Sequence, residues 1–370
     1  MKNIYLISNS YKSFFLFRKE IIKELSRKYN LFLIANNDDY FDYFNSQNIK
    51  CIKLENFFNK KNIFLNIFFI LRLIWIFIKN KPNLVQTYTI HPNLICLPIA
   101  KLFFAKTLAM ITGMGSLSVT KNKNLKKLVD LFYKFSFYFC DHIIFVNTNN
   151  KKYFHNNLNI KTEYTLINGA GVKKKIKRQK KNFFIQKYNL KNSFNIIFVG
   201  RIIKEKGVID AIKIFKLLKI KNKKLIFAGG FDNSSFSEKI SKQLFNYPGI
   251  IFLDHLRSTY KVFDLADLFI LPSITEGMPT SLMEAINEDI PTVSYNIAGV
   301  EDIIKNDLNG VTVRIGEINK VVNKIMQINK DKKYRSNLLA NSLKLKNKFD
   351  RVFIERKILY LYDNIIKSKN

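Results

Sequence analysis

Short continuous apolar runs alternate with helical apolar spacing along the whole chain. Residues 2–8 predict a strand that ends at the small polar Ser8, Asn9 and Ser10. Residues 14–28 follow with Phe17, Ile21, Ile22 and Leu25 on one helical stripe, and residues 31–35 are again strand-like. A β-helix-β opening implies a parallel sheet with right-handed crossovers. Strands are predicted at 83–86, 108–112, 143–146 and 164–167, with helices at 93–104 and 125–139. The pattern restarts with a clean strand at 195–199 and a helix at 208–218. Further strands fall at 225–228, 250–253, 268–271 and 291–295, and helices at 259–266, from Thr280 or Ser281 onward, at 336–348 and at 352–367. Both halves read as α/β.

The most lipid-like segment is residues 63–78, IFLNIFFILRLIWIFI. It contains Asn66 and Arg72, is flanked by Lys60, Lys61, Lys79 and Lys81, and falls short of the about 20 apolar residues a spanning helix needs. A buried or membrane-facing helix with basic ends is expected, suited by its Phe and Trp to shallow interfacial contact. No signal peptide is expected from the short apolar start MKNIYLISNS.

A chain of 370 residues suits two domains of ordinary size. The basic run KKKIKRQKKN marks the boundary: an N-terminal domain at 1–172 rejoined by a C-terminal helix at 352–370, a basic linker at 173–182, and a C-terminal domain at 183–351. The net charge is +34, and residues 1–182 hold 31 Lys+Arg against 9 Asp+Glu, or +22, which leaves +12 for the rest. Anionic partners are therefore expected mainly at the first domain, although AT-rich coding would also raise the lysine count. The cysteines Cys51, Cys96 and Cys140 form no CxxC or His/Cys cluster, so they are expected to be reduced core residues, with no metal site. Neither GxGxxG after the first strand nor a P-loop is present.

Candidate chemistry concentrates at residues 271–304: a strand, a polar loop with Glu276, Gly277, Met278 and Pro279, then a helix carrying Thr280, Ser281, Leu282 and Glu284. In a parallel sheet such a loop lies at the carboxyl edge, where ligands bind. Thr280 and Ser281 are good capping residues, and the free N–H groups of a first turn favour an anion by roughly 0.3–1 kcal/mol. Glu276 and Glu284 would repel a phosphate and suit sugar and ribose hydroxyls instead. Glu284 also fits an ordinary first-turn glutamate, and 277–279 an ordinary turn. The strand at 195–199 feeds Gly200, Arg201 and Lys206 ahead of the next helix, a second anion-binding arrangement in which arginine forks onto two oxygens and lysine supplies a point charge. In the first domain His91 follows a strand's carboxyl end, and Gly113, Met114, Gly115 and Ser116 form a turn that lets backbone N–H groups approach a ligand.

GRIIKEKG (200–207), AGG (228–230) and EGMPTSLMEA (276–285), in this order, resemble the donor half of retaining glycosyltransferases of family 4. The resemblance covers residues 195–310 well. It implies the GT-B fold, two Rossmann-like parallel-sheet domains facing across a cleft, with the nucleotide-sugar mainly on the second and the last helix crossing back. It further implies that Arg201 and Lys206 clamp the donor diphosphate. Glu276 would sit by the transferred sugar, Glu284 would hold the ribose hydroxyls, and the helix start at Thr280–Leu282 would bind the distal phosphate. No cofactor and no metal requirement are implied. Where many members carry a histidine, this chain has Gly113, which leaves His91 as the candidate for donor or acceptor. The first half looks most like bacterial enzymes that extend undecaprenyl-diphosphate-linked saccharides. The resemblance thus implies transfer of a hexose or N-acetylhexosamine, with UDP as the expected carrier, to a polyprenyl-diphosphate-linked saccharide. Surface polysaccharide, O-antigen, capsule or glycan assembly is the implied setting, with a cytoplasmic protein bound peripherally to the anionic inner membrane surface. A nucleotide-sugar 2-epimerase shares the fold and donor site but lacks the acceptor. A nucleic-acid-binding protein would explain the charge and not the donor motifs, so no nucleic-acid partner is expected.

Overall fold

The computed structural model describes residues 1–47, 49–54, 63–114, 122–173, 185, 187–231, 236, 240, 247–253 and 260–367. It divides into two compact units, Met1–Ala170 with Val352–Asn370, and Gly171–Arg351.

The first unit holds a seven-stranded sheet in the order β3-β2-β1-β4-β5-β6-β7. Its strands are β1 Asn3–Ser10, β2 Asn30–Asn36, β3 Lys50–Leu54, β4 Leu84–Tyr88, β5 Lys106–Ile111, β6 His142–Phe145 and β7 Tyr164–Leu166. Every pairing is parallel. Ile4 to Ile7 and Leu31 to Ala35 are buried without interruption, as a sheet covered on both faces demands. The chain steps outward from β1 to β3 and returns to β4 on the other side of β1, so the strand order reverses between β1 and β4. The first helix, Tyr11–Lys28, begins earlier than its apolar stripe suggests because the Ser10 hydroxyl accepts from the Ser13 N–H at 3.2 Å.

The Ile63–Lys79 helix buries Phe69, Leu73, Ile76 and Phe77 against the sheet and leaves its other apolar face exposed. Among the described residues no helix is long and apolar enough to cross a membrane. Arg18 is buried, stacks on the Tyr88 ring with 4.0 Å from its guanidinium carbon to the centroid, and donates to the Ser13 carbonyl at 3.2 Å. Burial lowers its pKa. The Arg351–Lys367 helix covers this region with the buried Tyr362, whose hydroxyl lies 3.5 Å from that of Tyr88. All three cysteines are free, as expected; burial pushes the Cys51 and Cys140 thiols up to about 12.

The second unit holds a six-stranded parallel sheet, β10-β9-β8-β11-β12-β13. Its strands are β8 Phe194–Val199, β9 Lys223–Ala228, β10 Ile250–Leu253, β11 Leu268–Leu271, β12 Thr292–Tyr295 and β13 Val311–Val313. Here the order reverses between β8 and β11. The C-terminal part differs from expectation: helices Ile318–Lys330 and Lys332–Leu343 replace a single one, separated at Asp331, whose carboxylate accepts from the Tyr334 N–H at 2.9 Å. The chain enters and leaves this unit as neighbours. Val172 donates to Phe349 at 2.7 Å and accepts from the Arg351 N–H at 3.0 Å.

Candidate functional site

Four loops meet at the carboxyl edge of the second sheet, following β9, β8, β11 and β12. Gly200 donates to the Ala228 carbonyl at 3.0 Å and Ile202 to the Gly230 carbonyl at 2.9 Å, which carries parallel pairing past the strand ends. The approach is so close that a Cβ at Gly229, where φ is +149°, would fall 2.0 Å from the Gly200 oxygen. The chain then makes one 3₁₀ turn, Lys204–Lys206, closed by Gly207 in the left-handed region before the helix Val208–Leu217. A Cβ at Gly207 would sit 1.8 Å from the Pro272 oxygen, and Ile274 donates to the Glu205 carbonyl at 3.0 Å. The loop after β8 is thus seated directly on the loop after β11. The loop after β12 is held equally tightly: a Cβ at Gly299 (φ +81°) would fall 2.0 Å from the Gly277 oxygen. Only glycine permits these approaches.

Within this frame Lys206 Nζ lies 2.6 Å from Glu276 Oε1, and the two side chains retain only 21% and 9% of their exposure. They bracket the β8/β11 reversal, the point at which open α/β sheets bind ligands. Separate partners were expected for these two side chains, phosphate for Lys206 and a sugar for Glu276; in this structure each is the other's partner. Arg201 is exposed on the same loop and has no ion pair among the described residues.

The helix after β11 spans Thr280–Asn287. Its cap differs from the expected one. Pro279 occupies the N-cap position, and no side chain caps the turn. The Leu282 and Met283 N–H groups reach the Pro279 carbonyl at 3.2 and 3.3 Å, and among the described residues those of Thr280 and Ser281 have no acceptor. Two donors and the positive helix end therefore face the loop of Glu276, Gly277 and Met278. Glu284 is half-buried one turn further on. The neighbouring helix start is pinned by the Tyr295 hydroxyl, which donates to Asp210 Oδ2 at 2.7 Å. Nothing in the local sequence pattern pointed to Asp210 or Tyr295.

In the first unit His91 is half-buried in the first turn of Ile90–Leu102, beside the β1/β4 reversal. This helix starts before the expected Asn93, since Pro92 is tolerated in a first turn. Asn93 fixes the start: its Oδ1 accepts from the Thr87 hydroxyl at 2.6 Å and its Nδ2 donates to the Met110 carbonyl at 3.2 Å. Thr89, just ahead, has φ +70° and is the only β-branched residue with positive φ among the described residues. Gly113, with φ +147°, follows β5, whereas Gly115 and Ser116 lie outside the described residues.

Residues 180–344 match the family model of glycosyl transferases group 1. A Campylobacter jejuni relative, N,N'-diacetylbacillosaminyl-diphospho-undecaprenol alpha-1,3-N-acetylgalactosaminyltransferase, is 27% identical over 98% of both chains. The capsular polysaccharide biosynthesis glycosyltransferase CapM of Staphylococcus aureus is 27% identical over 81% of both. Among solved structures, Anabaena HepE in complex with UDP and glucose superposes with a TM-score of 0.81 at 14% identity, covering 98% of this chain and 100% of that one. Sucrose-phosphate synthase from Thermosynechococcus elongatus gives 0.82 at 16% identity, covering all of both chains. The resemblance read from residues 195–310 is borne out: the chain is a glycosyltransferase of GT-B fold whose second unit carries the glycosyl transferases group 1 domain.

Proposed function

We propose that the enzyme transfers a hexose or N-acetylhexosamine, with retention of configuration, from a nucleotide diphosphate sugar to a polyprenyl-diphosphate-linked saccharide. The observation that carries this reading is the Lys206–Glu276 contact at the sheet's reversal point, set beside the uncapped start of the Thr280–Asn287 helix. A donor diphosphate would take Lys206 and Arg201 as cations and the Thr280 and Ser281 N–H groups as neutral donors. Glu276, released from Lys206, would accept from hydroxyls of the sugar, and Glu284 from the ribose. In a front-face displacement the acceptor hydroxyl attacks the anomeric carbon from the side on which the diphosphate leaves. The bond to the diphosphate oxygen breaks and that oxygen takes the hydroxyl proton. Fixed positive groups lower this barrier by meeting the charge that develops on the leaving group. Two cations and a helix dipole supply that charge without a metal.

UDP as carrier is favoured by the UDP complex of HepE, and a lipid-diphosphate acceptor by the Campylobacter relative's stated activity. Such an acceptor lies at a membrane. Residues 1–170 of the first unit hold 24 Lys+Arg against 9 Asp+Glu, and this +15 favours its peripheral attachment to the anionic cytoplasmic surface, although seven of the basic residues counted in 1–182 belong to the second unit. His91 is placed by this reading on the acceptor side.

A panel of nucleotide-sugars offered with lipid-diphosphate-linked saccharides tests the proposal by mass spectrometry of the lipid. Lengthening by one sugar is expected, with strong losses in Lys206→Ala and Glu276→Ala. Interconversion of the nucleotide-sugar without acceptor would favour an epimerase instead, and full activity in both variants would remove the site assignment.

A further inference from the structure

The first unit exposes far more apolar surface on one face than its own packing uses. β3, β4, β5 and β6 are joined by Ile63–Lys79, Ile90–Leu102 and Lys123–Tyr138, and every step runs in the same direction across the sheet. Right-handed crossovers therefore place all three helices on one face. The middle helix is packed against both others. The two outer helices each present an apolar row to solvent. On the first, Phe68 and Trp75 are 66% and 60% exposed; on the last, Phe132 and Phe135 are 51% and 58% exposed. The rows are linked where the helices end. Phe103 follows the middle helix and stacks edge-on to Phe77 at 5.6 Å, while Leu102 and Phe104 beside it are largely exposed, as is Tyr138 at the end of the third helix.

We infer that this three-helix face is the membrane-docking surface of the enzyme, with Phe68, Trp75, Phe132 and Phe135 inserted at the headgroup–acyl boundary of an anionic bilayer. The inference rests on the lipid-linked acceptor proposed above. It identifies the surface and adds an apolar component that charge alone does not supply. The rim chemistry selects the occupant. Lys123, Lys126, Lys127 and Lys134 stand on the third helix against one acid, Asp130, and Arg72 and Lys79 on the first against none. Asp130 accepts from the Tyr153 hydroxyl at 2.6 Å, and its single charge is outnumbered by the four lysines. Lys79 lies 5.3 Å over the Trp75 ring, with a cation and an aromatic side chain together as at a lipid interface. A second copy of a chain that carries +34 would set one basic rim against another, whereas anionic lipid complements both the rim and the apolar centre.

Trp75 is the only tryptophan of the chain, so its fluorescence reports on this face alone. The full-length protein is mixed with vesicles of phosphatidylglycerol and phosphatidylcholine, or of phosphatidylcholine alone, some with brominated acyl chains. A blue shift and bromine quenching of Trp75 are expected with the anionic vesicles, and part of the binding is expected to survive high salt. Phe68→Ser/Phe132→Ser, both at exposed positions, is expected to weaken vesicle partitioning at least tenfold. Its transfer to a short-chain, water-soluble acceptor should stay at the wild-type rate. Co-sedimentation with silent Trp75 emission would overturn the inference by placing contact elsewhere. A lipid-free emission shift that rises with concentration, together with a dimer mass by light scattering, would assign the face to a second copy. Absence of both binding and shift would also overturn it. Failure of the wild type to lengthen the soluble acceptor while Trp75 still inserts would sink the enzymatic reading instead.

Discussion

Gly299→Ala probes whether the β11 loop must be held in place for transfer. Its added methyl would lie 2.0 Å from the Gly277 oxygen and 2.8 Å from the Gly277 carbonyl carbon. Contacts under about 3.0 Å are forbidden to real side chains, so the loop carrying Glu276 must retreat by about 1 Å. The backbone at φ +81° adds roughly 1–2 kcal/mol of strain for any L side chain. For a unit of this size that strain corresponds to a loss of about 2–8 °C in Tm. A displacement of about 1 Å at a catalytic group costs up to about 100-fold in rate. Thermal unfolding and donor-saturation kinetics separate the two effects. A variant that remains folded near the wild-type Tm is expected to lose about 10–100-fold in kcat/KM. Wild-type kcat/KM and Tm together would refute the reasoning, because they would mean the loop neither moved nor mattered.

Lys206→Ala should destabilise the second unit by about 1–3 kcal/mol, since it strands a mostly buried carboxylate, and a second change, Glu276→Gln, should restore most of it in a double-mutant cycle. Additive losses in denaturant titration would mean the pair is not coupled. His142, whose Nε2 lies 2.9 Å from the Thr165 hydroxyl, has its pKa lowered by burial, with Glu163 pulling weakly the other way. The unfolded state then binds the proton better, so this stabilisation is complete above about pH 6.5 and fades as pH falls toward the folded value. Melts across that range should show the loss in the wild type and a flatter profile in His142→Asn. On the proposal that Arg201, Lys206 and the helix start meet the diphosphate's charge, transfer should continue at full rate in excess EDTA; loss rescued by a divalent cation would contradict that assignment.

Much of the architecture is written in the apolar runs. β11, LFIL, is buried throughout and reads as an uninterrupted apolar segment, and β8, FNIIFV, is broken only by Asn195, whereas β12, TVSY, buries two hydroxyl residues and carries a weaker signal. β3, with Lys50 at one end of an edge strand, and the three-residue β13 carry too little of that signal and were not anticipated. The helix Ile318–Lys330 buries only Val321, Ile325 and Ile328 among lysines and asparagines, a stripe diluted by its exposed face. Individual site residues were legible as glycine turns and charged loops. Their partners were not. Lys206 and Glu276 are 70 residues apart, and Gly299 meets Gly277 only because β11 and β12 stand side by side. No local spacing encodes such a meeting. The apolar character of residues 63–78 was visible in composition, but the same apolarity serves both the core and the exposed face, and only the crossover order tells them apart.

Titration calorimetry of UDP and other nucleoside diphosphates bears on the donor site without needing the acceptor. Arg201 is exposed and makes no ion pair among the described residues, so removing it should leave the fold intact. A charge-assisted phosphate contact of about 1.5–3 kcal/mol would then be lost, or roughly 10–100-fold in affinity. One nucleoside diphosphate should bind at a single site and weaken by that factor in Arg201→Ala, with Lys206→Ala weakening it as well. Binding that is unchanged in both variants, or absent for every nucleotide tested, would contradict a nucleotide-sugar site at the β8/β11 reversal.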